Sequence, residues 1–432
     1  MVVRIIRQFL IAGAFVLSPA TICAKESISL EQCYEWAEQN YPLVVQYGLI
    51  DQAREFDLSN AKRAWLPNIS IQGQASWQSE VTKLPFDSKI MSGLIPGFEN
   101  PELSKDQYKA SLNVNQTIWD GGVTKAQKNI IEKQAQSDKA RVESKIYELR
   151  SRINQLYFGC LLQQTLIAQN DLLQDQLSVN LKQVEALKNN GMANDVDVDA
   201  IVVEQLTAEQ KGFELQMSYD AFLDMLGAFT GKTLTKETIL LTPSRIASFS
   251  SVIARPELDM YKGQQQLLAE QNRLLKAGLM PKFGLFLQGG YGRPGLDMLK
   301  NEFDSFFIGG IRFNWDIGRF YTLKNDRNKV NNAISIVETQ RKTFIFETEL
   351  QLMQQQVELR NLEKLIRADD KIIELRHKQT KAAEVKLDYG VISTNDLIRI
   401  VNAESLARET AAMRLMTQLM HMYQIKYMLN QK

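Results

Sequence analysis

The chain carries one layout twice. Tyr41-Pro42 opens a segment that reaches Leu66-Pro67-Asn68-Ile69-Ser70-Ile71 and then Trp77, while Arg255-Pro256 opens one that reaches Met280-Pro281-Lys282-Phe283-Gly284-Leu285 and then Tyr291. The prolines lie 25 residues apart in both copies (67 − 42 and 281 − 256), with Tyr47 and Tyr261 in register between them. Ile118-Trp119-Asp120-Gly121-Gly122 is answered by Asn314-Trp315-Asp316-Ile317-Gly318. Asn190-Gly191-Met192 with Asp197 is answered by Tyr389-Gly390-Val391 with Asp396. Three markers in one order, spread over about 200 residues per copy, identify a duplicated unit. Function in such a chain is to be sought in the architecture that the repeat builds rather than in a single catalytic pocket.

Arg4 and Arg7 precede an apolar core from Phe9 to Leu17 and the small-residue segments Ser18-Pro19-Ala20 and Ile22-Cys23-Ala24. This is the pattern of an export signal, residues 1–24, cleaved after Ala24. Acylation of Cys23 is the alternative, and the bulky Ile22 before it argues against that. No other stretch approaches the roughly 20 apolar residues of a membrane-spanning helix. An exported chain of this kind is either soluble or crosses a membrane as a barrel. A net charge of +1 over 432 residues argues against a nucleic-acid partner, because phosphate binding needs a basic face. After the signal only Cys33 and Cys160 remain, without metal or redox spacing, and both read as buried apolar residues. His377 and His421, the only histidines, have no companion at ligand spacing and read as ordinary helix residues. No metal and no cofactor is expected.

Asn68 to Trp77 alternates, with Ile69, Ile71, Gly73, Ala75 and Trp77 on one side and Asn68, Ser70, Gln72, Gln74 and Ser76 on the other. That is a strand with one apolar and one polar face. A second strand, 108–119, sets Ala110, Leu112, Val114 and Ile118 against Lys109, Ser111, Asn113, Asn115 and Thr117. In the second copy the strands are 283–291 and 306–315, where Ile311, Phe313 and Trp315 alternate with Arg312 and Asn314. Each is close to the 9–11 residues of a tilted transmembrane strand. Trp77, Trp119, Tyr291 and Trp315 sit at the ends, where aromatic girdles lie. A soluble sandwich would not leave both copies with an unbroken polar row, so the membrane reading is preferred.

The first copy holds a Pro/Gly-bearing insertion between its strands, from about 81 to 106, which reads as a long exposed loop. The second copy has only the short Gly292-Arg293-Pro294-Gly295 link. Helical stretches without proline follow, about 123–188 and about 320–388. In the first, Ile146, Leu149, Ile153, Leu156 and Cys160 recur at alternating three- and four-residue steps, the seam of a coiled coil. A helix of about 65 residues is a rod of roughly 100 Å. Each rod ends in a short turn, and returning helices run over about 195–229 and 395–428. The domain division is therefore a first repeat over 25–240, a connector over 230–254 with the apolar run Ile239-Leu240-Leu241, and a second repeat over 255–432.

Four strands cannot close a barrel, and an open edge in hydrocarbon leaves backbone groups unpaired. The barrel must be shared. Dimers with eight strands and trimers with twelve both fit, but eight strands enclose a lumen filled by side chains, so a conducting lumen favours three chains.

On these residues the chain resembles the TolC-like outer membrane efflux family. The likeness rests on Ala64-Trp65-Leu66-Pro67-Asn68-Ile69-Ser70, on Gln116-Thr117-Ile118-Trp119-Asp120-Gly121-Gly122 and on Gly191 with Asp197. In the second copy Met280-Pro281-Lys282-Phe283, Phe313-Asn314-Trp315-Asp316-Ile317-Gly318 and Gly390 with Asp396 carry it. The resemblance implies an α+β membrane protein of the Gram-negative outer membrane: a homotrimer with a shared twelve-stranded β-barrel. Long antiparallel helices would continue it as a periplasmic coiled-coil tunnel. Implied partners are outer membrane lipid, a periplasmic adaptor protein and an inner-membrane transporter.

The matched residues have physical roles. Pro67 and Pro281 remove backbone donors where helix hands over to strand, and Gly122 and Gly318 free the backbone where strand returns to helix. Gly191 and Gly390 end the long helices in left-handed conformations. The resemblance adds that Asn190, Gly191, Met192, Tyr389, Gly390 and Val391 form tips that meet the adaptor. It also places Asp197 and Asp396, with Asp195 and Asp199 nearby, at a pore constriction. The same aspartates follow Asn194 and Ser393 at capping-box spacing, a role compatible with the first. The family's prototype has a second carboxylate one turn after the second-copy aspartate, where this chain has Arg399. An export duct, with small toxic molecules as its cargo, is the leading expectation. A protein-secretion or metal-efflux component is the alternative, and a non-transport periplasmic scaffold ranks below both. An enzyme is not expected, since neither a nucleophile with its base nor clustered carboxylates are in evidence.

Overall fold

The structure is a computed structural model that describes residues 27–82, 93, 104–298 and 300–431. The expected export signal with Cys23, and most of the expected loop over 81–106, lie outside the described residues. Strand β1 (Ser27–Ile28) leads into helix α1 (Leu30–Asn40), which opens on a capping box. Ser29 N–H donates to Gln32 Oε1 (2.8 Å) and Gln32 N–H donates to Ser29 Oγ (3.2 Å). The sequence pattern there reads as one helix to about residue 62, but the structure makes two. Tyr41 is extended (φ −66°, ψ 127°) ahead of Pro42, because a proline disfavours the helical conformation in the residue before it. Helix α2 then runs over Val45–Arg63.

Strands β2 (Asn68–Trp77) and β3 (Asp106–Trp119) follow, then helices α3 (Val123–Tyr147) and α4 (Leu149–Asn189). Only Glu148 separates these two helices, and its backbone stays right-handed (φ −58°, ψ −25°). Helix α5 (Asp195–Thr230) returns, and strand β4 (Ile239–Leu240) pairs in parallel with β1. The second copy consists of α6 (Pro256–Ala277), β5 (Lys282–Arg293), β6 (Asp304–Asn314), α7 (Arg319–Asp388) and α8 (Thr394–Leu429). Helix α7 is 70 residues long. Among the described residues no helix is long and apolar enough to cross a membrane.

The chain divides into two compact units that interleave along the sequence, each drawing on both repeats. One takes described residues 27–37, 153–245 and 362–420, the other 38–152, 246–361 and 421–431. In the first, Tyr157 donates its hydroxyl to Ile28 O (2.8 Å) and Leu241 O (2.7 Å), so one buried side chain anchors the β1–β4 ladder on α4. Cys33 and Cys160 are buried there as free thiols, and burial pushes each thiol up to about 12. In the second, α3 packs on α2 and α6. A Cβ on Gly263 would lie 3.3 Å from Ser137 Cα, a close approach of α6 to α3.

The second unit also holds the sheet, ordered β2-β3-β5-β6 and antiparallel throughout, so β3 and β5 join the two hairpins. Register sets Ile69 beside Val114, Val114 beside Leu287, and Ile71 beside Leu112; Leu285 lies beside Ile311, and Phe283 beside Phe313. One face is therefore apolar across all four strands. On the other, Ser70, Asn113 and Gln288 share a row, as do Gln72 and Ser111. The expected unbroken polar row holds for the first copy only. In the second, Phe286, Phe306 and Ile308 occupy that face among glycines, where a ring lying flat on glycine backbone covers what a side chain would otherwise cover.

Candidate functional site

Two turns built alike form the first part of the site. At the end of α4, Met192 N–H donates to Leu187 O (2.8 Å) and Gly191 N–H to Lys188 O (2.9 Å). At the end of α7, Val391 N–H donates to Lys386 O (2.9 Å) and Gly390 N–H to Leu387 O (2.9 Å). This paired pattern is a Schellman motif, which satisfies orphan carbonyls by a left-handed residue. Gly191 (φ 75°) and Gly390 (φ 65°) supply it. Met192, Tyr389 and Val391 are exposed beside them. Below both turns lies one core that includes Leu187, Ile201, Leu387, Leu397 and Val401, so the two copies' turns share a base.

The aspartates act as caps. Asp197 N–H donates to Asn194 Oδ1 and Asn194 N–H to Asp197 Oδ2, both 3.1 Å. Asp396 N–H donates to Ser393 Oγ (3.2 Å), and Ser393 Oγ donates to Asp396 Oδ2 (2.8 Å). The Ser393 hydrogen bonds, helped by Arg399 at 3.4 Å, hold the Asp396 carboxyl below the usual carboxylate range. Asp195 is ion-paired with Lys188, whose ammonium is held above its ordinary range by that contact. Asp199 is exposed. Of the four acids singled out, two are thus matched by a neighbouring cation.

His377 has a companion that helical spacing cannot show. Its Nδ1 lies 3.0 Å from Glu404 Oε1, which Arg408 also contacts through Nε (3.0 Å) and Nη2 (2.6 Å). These groups line a pocket of about 300 Å³ with Leu172, Leu173 and Val401.

The junctions differ between copies. Asp120 Oδ1 accepts from Gly122 N–H (2.8 Å) and Oδ2 from Thr124 N–H (2.6 Å), so this aspartate caps α3. Gly122 is left-handed (φ 89°) as expected for a freed backbone. Gly318, assigned the same freedom from sequence, is absent from the left-handed residues. Arg319, one residue on, instead pairs with Asp316 (3.7 Å). Among the junction glycines the tightly enclosed one is Gly121, where a Cβ would meet Met280 Cβ at 2.5 Å. After Gly278, Leu279 and Met280 close the last turn of α6 on Lys276 O and Ala277 O. Pro281 then brings no donor; Pro67 stands likewise before β2.

Trp77 and Tyr291 lie at the loop end of the sheet and Trp119 and Trp315 at the helix end, all exposed. Simple alternation would place Trp119 with the polar row. A bulge between Thr117 and Trp119 turns it instead to face Phe283, with ring centroids 5.9 Å apart. Sequence reading missed Tyr108 and Phe303 at the loop end. Phe303 stacks on Tyr108 (6.3 Å) and on Tyr291 (5.6 Å), and Arg293 covers the group while pairing with Asp106 (3.0 Å). The only sequence signal was an aromatic at a strand end.

Residues 35–232 match the sequence profile of a family described as outer membrane efflux protein. Over nearly the whole chain the fold is that of the outer membrane protein VceC of Vibrio cholerae. That structure is 13% identical, with 93% of this chain and 95% of that one covered and a TM-score of 0.65. Residues 35–232 of the chain are similar to the outer membrane efflux protein family. The Campylobacter jejuni CmeC outer membrane channel shares the fold at 12% identity, covering 93% of this chain and 85% of that one (TM-score 0.64). The open state of the Neisseria gonorrhoeae MtrE outer membrane channel does so at 11%, with 93% and 88% covered (TM-score 0.64). No curated protein matches the chain. The profile match and the shared fold, strands of barrel type continued by long helices, place the chain in the Gram-negative outer membrane.

Proposed function

We propose that three copies of the chain close one twelve-stranded barrel and form a passive export duct. Through it, small toxic molecules pass outward from an inner-membrane transporter and a periplasmic adaptor. The observation that carries this reading is the four-stranded sheet, apolar across one face and open at both edges, β2 and β6. Unpaired edges are excluded from hydrocarbon, and joining copies edge to edge removes them. Exposed apolar seams support self-assembly. Val196, Val203, Leu206, Phe213 and Met217 on α5, and Phe346, Leu350, Met353 and Val357 on α7, recur at three-, four- or seven-residue steps. The aromatic residues at the sheet ends then meet lipid headgroups.

The Schellman turns are the surface for the adaptor, and Asp197 is the main carboxylate of a periplasmic constriction, since Lys188 and Arg399 counter Asp195 and Asp396. The test combines assembly, conductance and export. Native mass measurement in detergent should give three chains, and bilayers should show channels. Gly191→Trp with Gly390→Trp should abolish export while leaving the trimer. Asp197→Asn should lower cation preference more than Asp396→Asn. A stable monomer without detergent would overturn the duct, and unchanged export with both tryptophans would remove the docking surface.

A further inference from the structure

Three cations share the mixed face of the sheet. Lys109, Lys282 and Arg312 lie on it by register, all exposed, and none is ion-paired with a carboxylate among the described residues. The one acid on that face within the strands is Asp304, at the loop end of β6, opposite Gly292 and in the row of Lys109. The other charged pair of the sheet, Asp106 with Arg293, belongs to the apolar face.

Two of these cations are fixed against aromatic rings. Phe306 lies so flat over Gly290 that a Cβ there would come within 2.4 Å of its ring. Lys109 Nζ sits 4.7 Å from the centroid of the same ring. Phe286 covers Gly310 in the same way, at 3.0 Å from such a Cβ, and the Arg312 guanidinium sits 4.9 Å from its centroid. Each ring thus packs against a glycine and carries a cation over it, and both cations are exposed. Cation–π contact holds them near the wall without neutralising them. Arg312 also donates to Asn115 Oδ1 (3.3 Å), a neutral partner that leaves its charge uncompensated.

We propose that this face binds soluble multivalent anions bearing phosphate or carboxylate groups, as an anion site on the barrel wall. The proposal rests on the duct reading, in which this face lines the lumen. Each chain contributes three cations against one carboxylate, and closing the barrel repeats that excess around a confined, water-filled space. Like charges on low-dielectric walls raise the local concentration of counter-ions. Arg312 suits oxyanions especially, since a guanidinium offers a planar fork of donors.

The experiment records single channels of the full chain in planar bilayers, with tripolyphosphate added on the loop side. Wild-type current should be blocked in a voltage-dependent manner. Lys109→Gln with Arg312→Gln should raise the half-blocking concentration on the order of tenfold, and high salt should weaken the wild-type block. Lys109→Arg with Arg312→Lys should keep it, which separates charge from a packing role over the phenylalanines. Thermal unfolding of the glutamine variant, read beside the recordings, reports whether the sheet is intact. Channels that conduct yet show no block, or equal block in the glutamine variant, overturn the anion site and leave the duct standing. Chains that never carry current overturn the duct, and the anion site falls with it.

Discussion

Gly191 and Gly390 sit in open space, where an added methyl would meet nothing within 4 Å, whereas Gly121 is pinned against Met280. Alanine at either tip therefore costs only the left-handed backbone, about 1–2 kcal/mol. At Gly121 the same backbone cost is joined by a clash with α6. Thermal unfolding in detergent should show small losses for Gly191→Ala and Gly390→Ala and a much larger one for Gly121→Ala. Equal losses at all three would refute the difference in packing. Asp396 makes a pH prediction. Its folded pKa lies below its unfolded value because Ser393 and Arg399 favour the carboxylate. The unfolded chain therefore takes up the proton first as pH falls. The stabilisation is complete above the unfolded value, near 4, and is lost as pH drops through the folded one. The gap in unfolding midpoint between wild type and Asp396→Asn should be constant at neutral pH and shrink in acid.

Among the elements, Arg255 fastens three helices at the start of the second copy. Its guanidinium stacks on Tyr147 of α3 (5.1 Å), Phe344 of α7 (5.5 Å) and Tyr427 of α8 (4.5 Å), and it pairs with Glu257 in a site where both are buried. Removing one partner leaves a buried charge. Glu257→Ala should cost about 3–5 kcal/mol, while replacing both residues with apolar ones of similar volume should cost far less. Chemical denaturation of the two variants decides the matter, and equal losses would mean that the pair contributes little. The connector obeys the same local logic. Ala254 N–H donates to Leu429 O (3.2 Å) and Asn430 Nδ2 donates to Ala254 O (2.7 Å), so the end of α8 holds the segment leading to Arg255.

For the whole molecule, assembly has a signature in the backbone. Strands β3 and β5 are paired on both sides within one chain, and β2 and β6 on one side only. Hydrogen exchange in detergent should therefore find β2 and β6 as protected as β3 and β5 in the assembled protein. Phe213→Lys, on an exposed seam of α5, should weaken assembly and release the two edge strands selectively. Protection of β2 and β6 that survives dissociation would mean that no neighbour covers the edges. The profile match over residues 35–232 and the fold place the chain in the outer membrane.

The duplication, the two-faced strands of the first copy, the long proline-free helices and the glycine-ended tips were all legible in the sequence. Each depends on local periodicity or on one residue's backbone preference, and such signals survive without tertiary contacts. The capping spacing of Asn194 with Asp197 and Ser393 with Asp396 was equally plain, and the hydrogen bonds realise it. Only the tertiary structure decided how the copies meet: β3 beside β5, two interleaved units rather than two repeats, and a core shared beneath both tips. It alone paired Lys188 with Asp195, set His377 against Glu404, and laid Phe286 and Phe306 over glycines under Arg312 and Lys109. The His377 and phenylalanine contacts join residues distant in sequence, and Lys188 meets Asp195 across a turn. Periodicity reports the face a residue occupies, but its partner is chosen by packing and register.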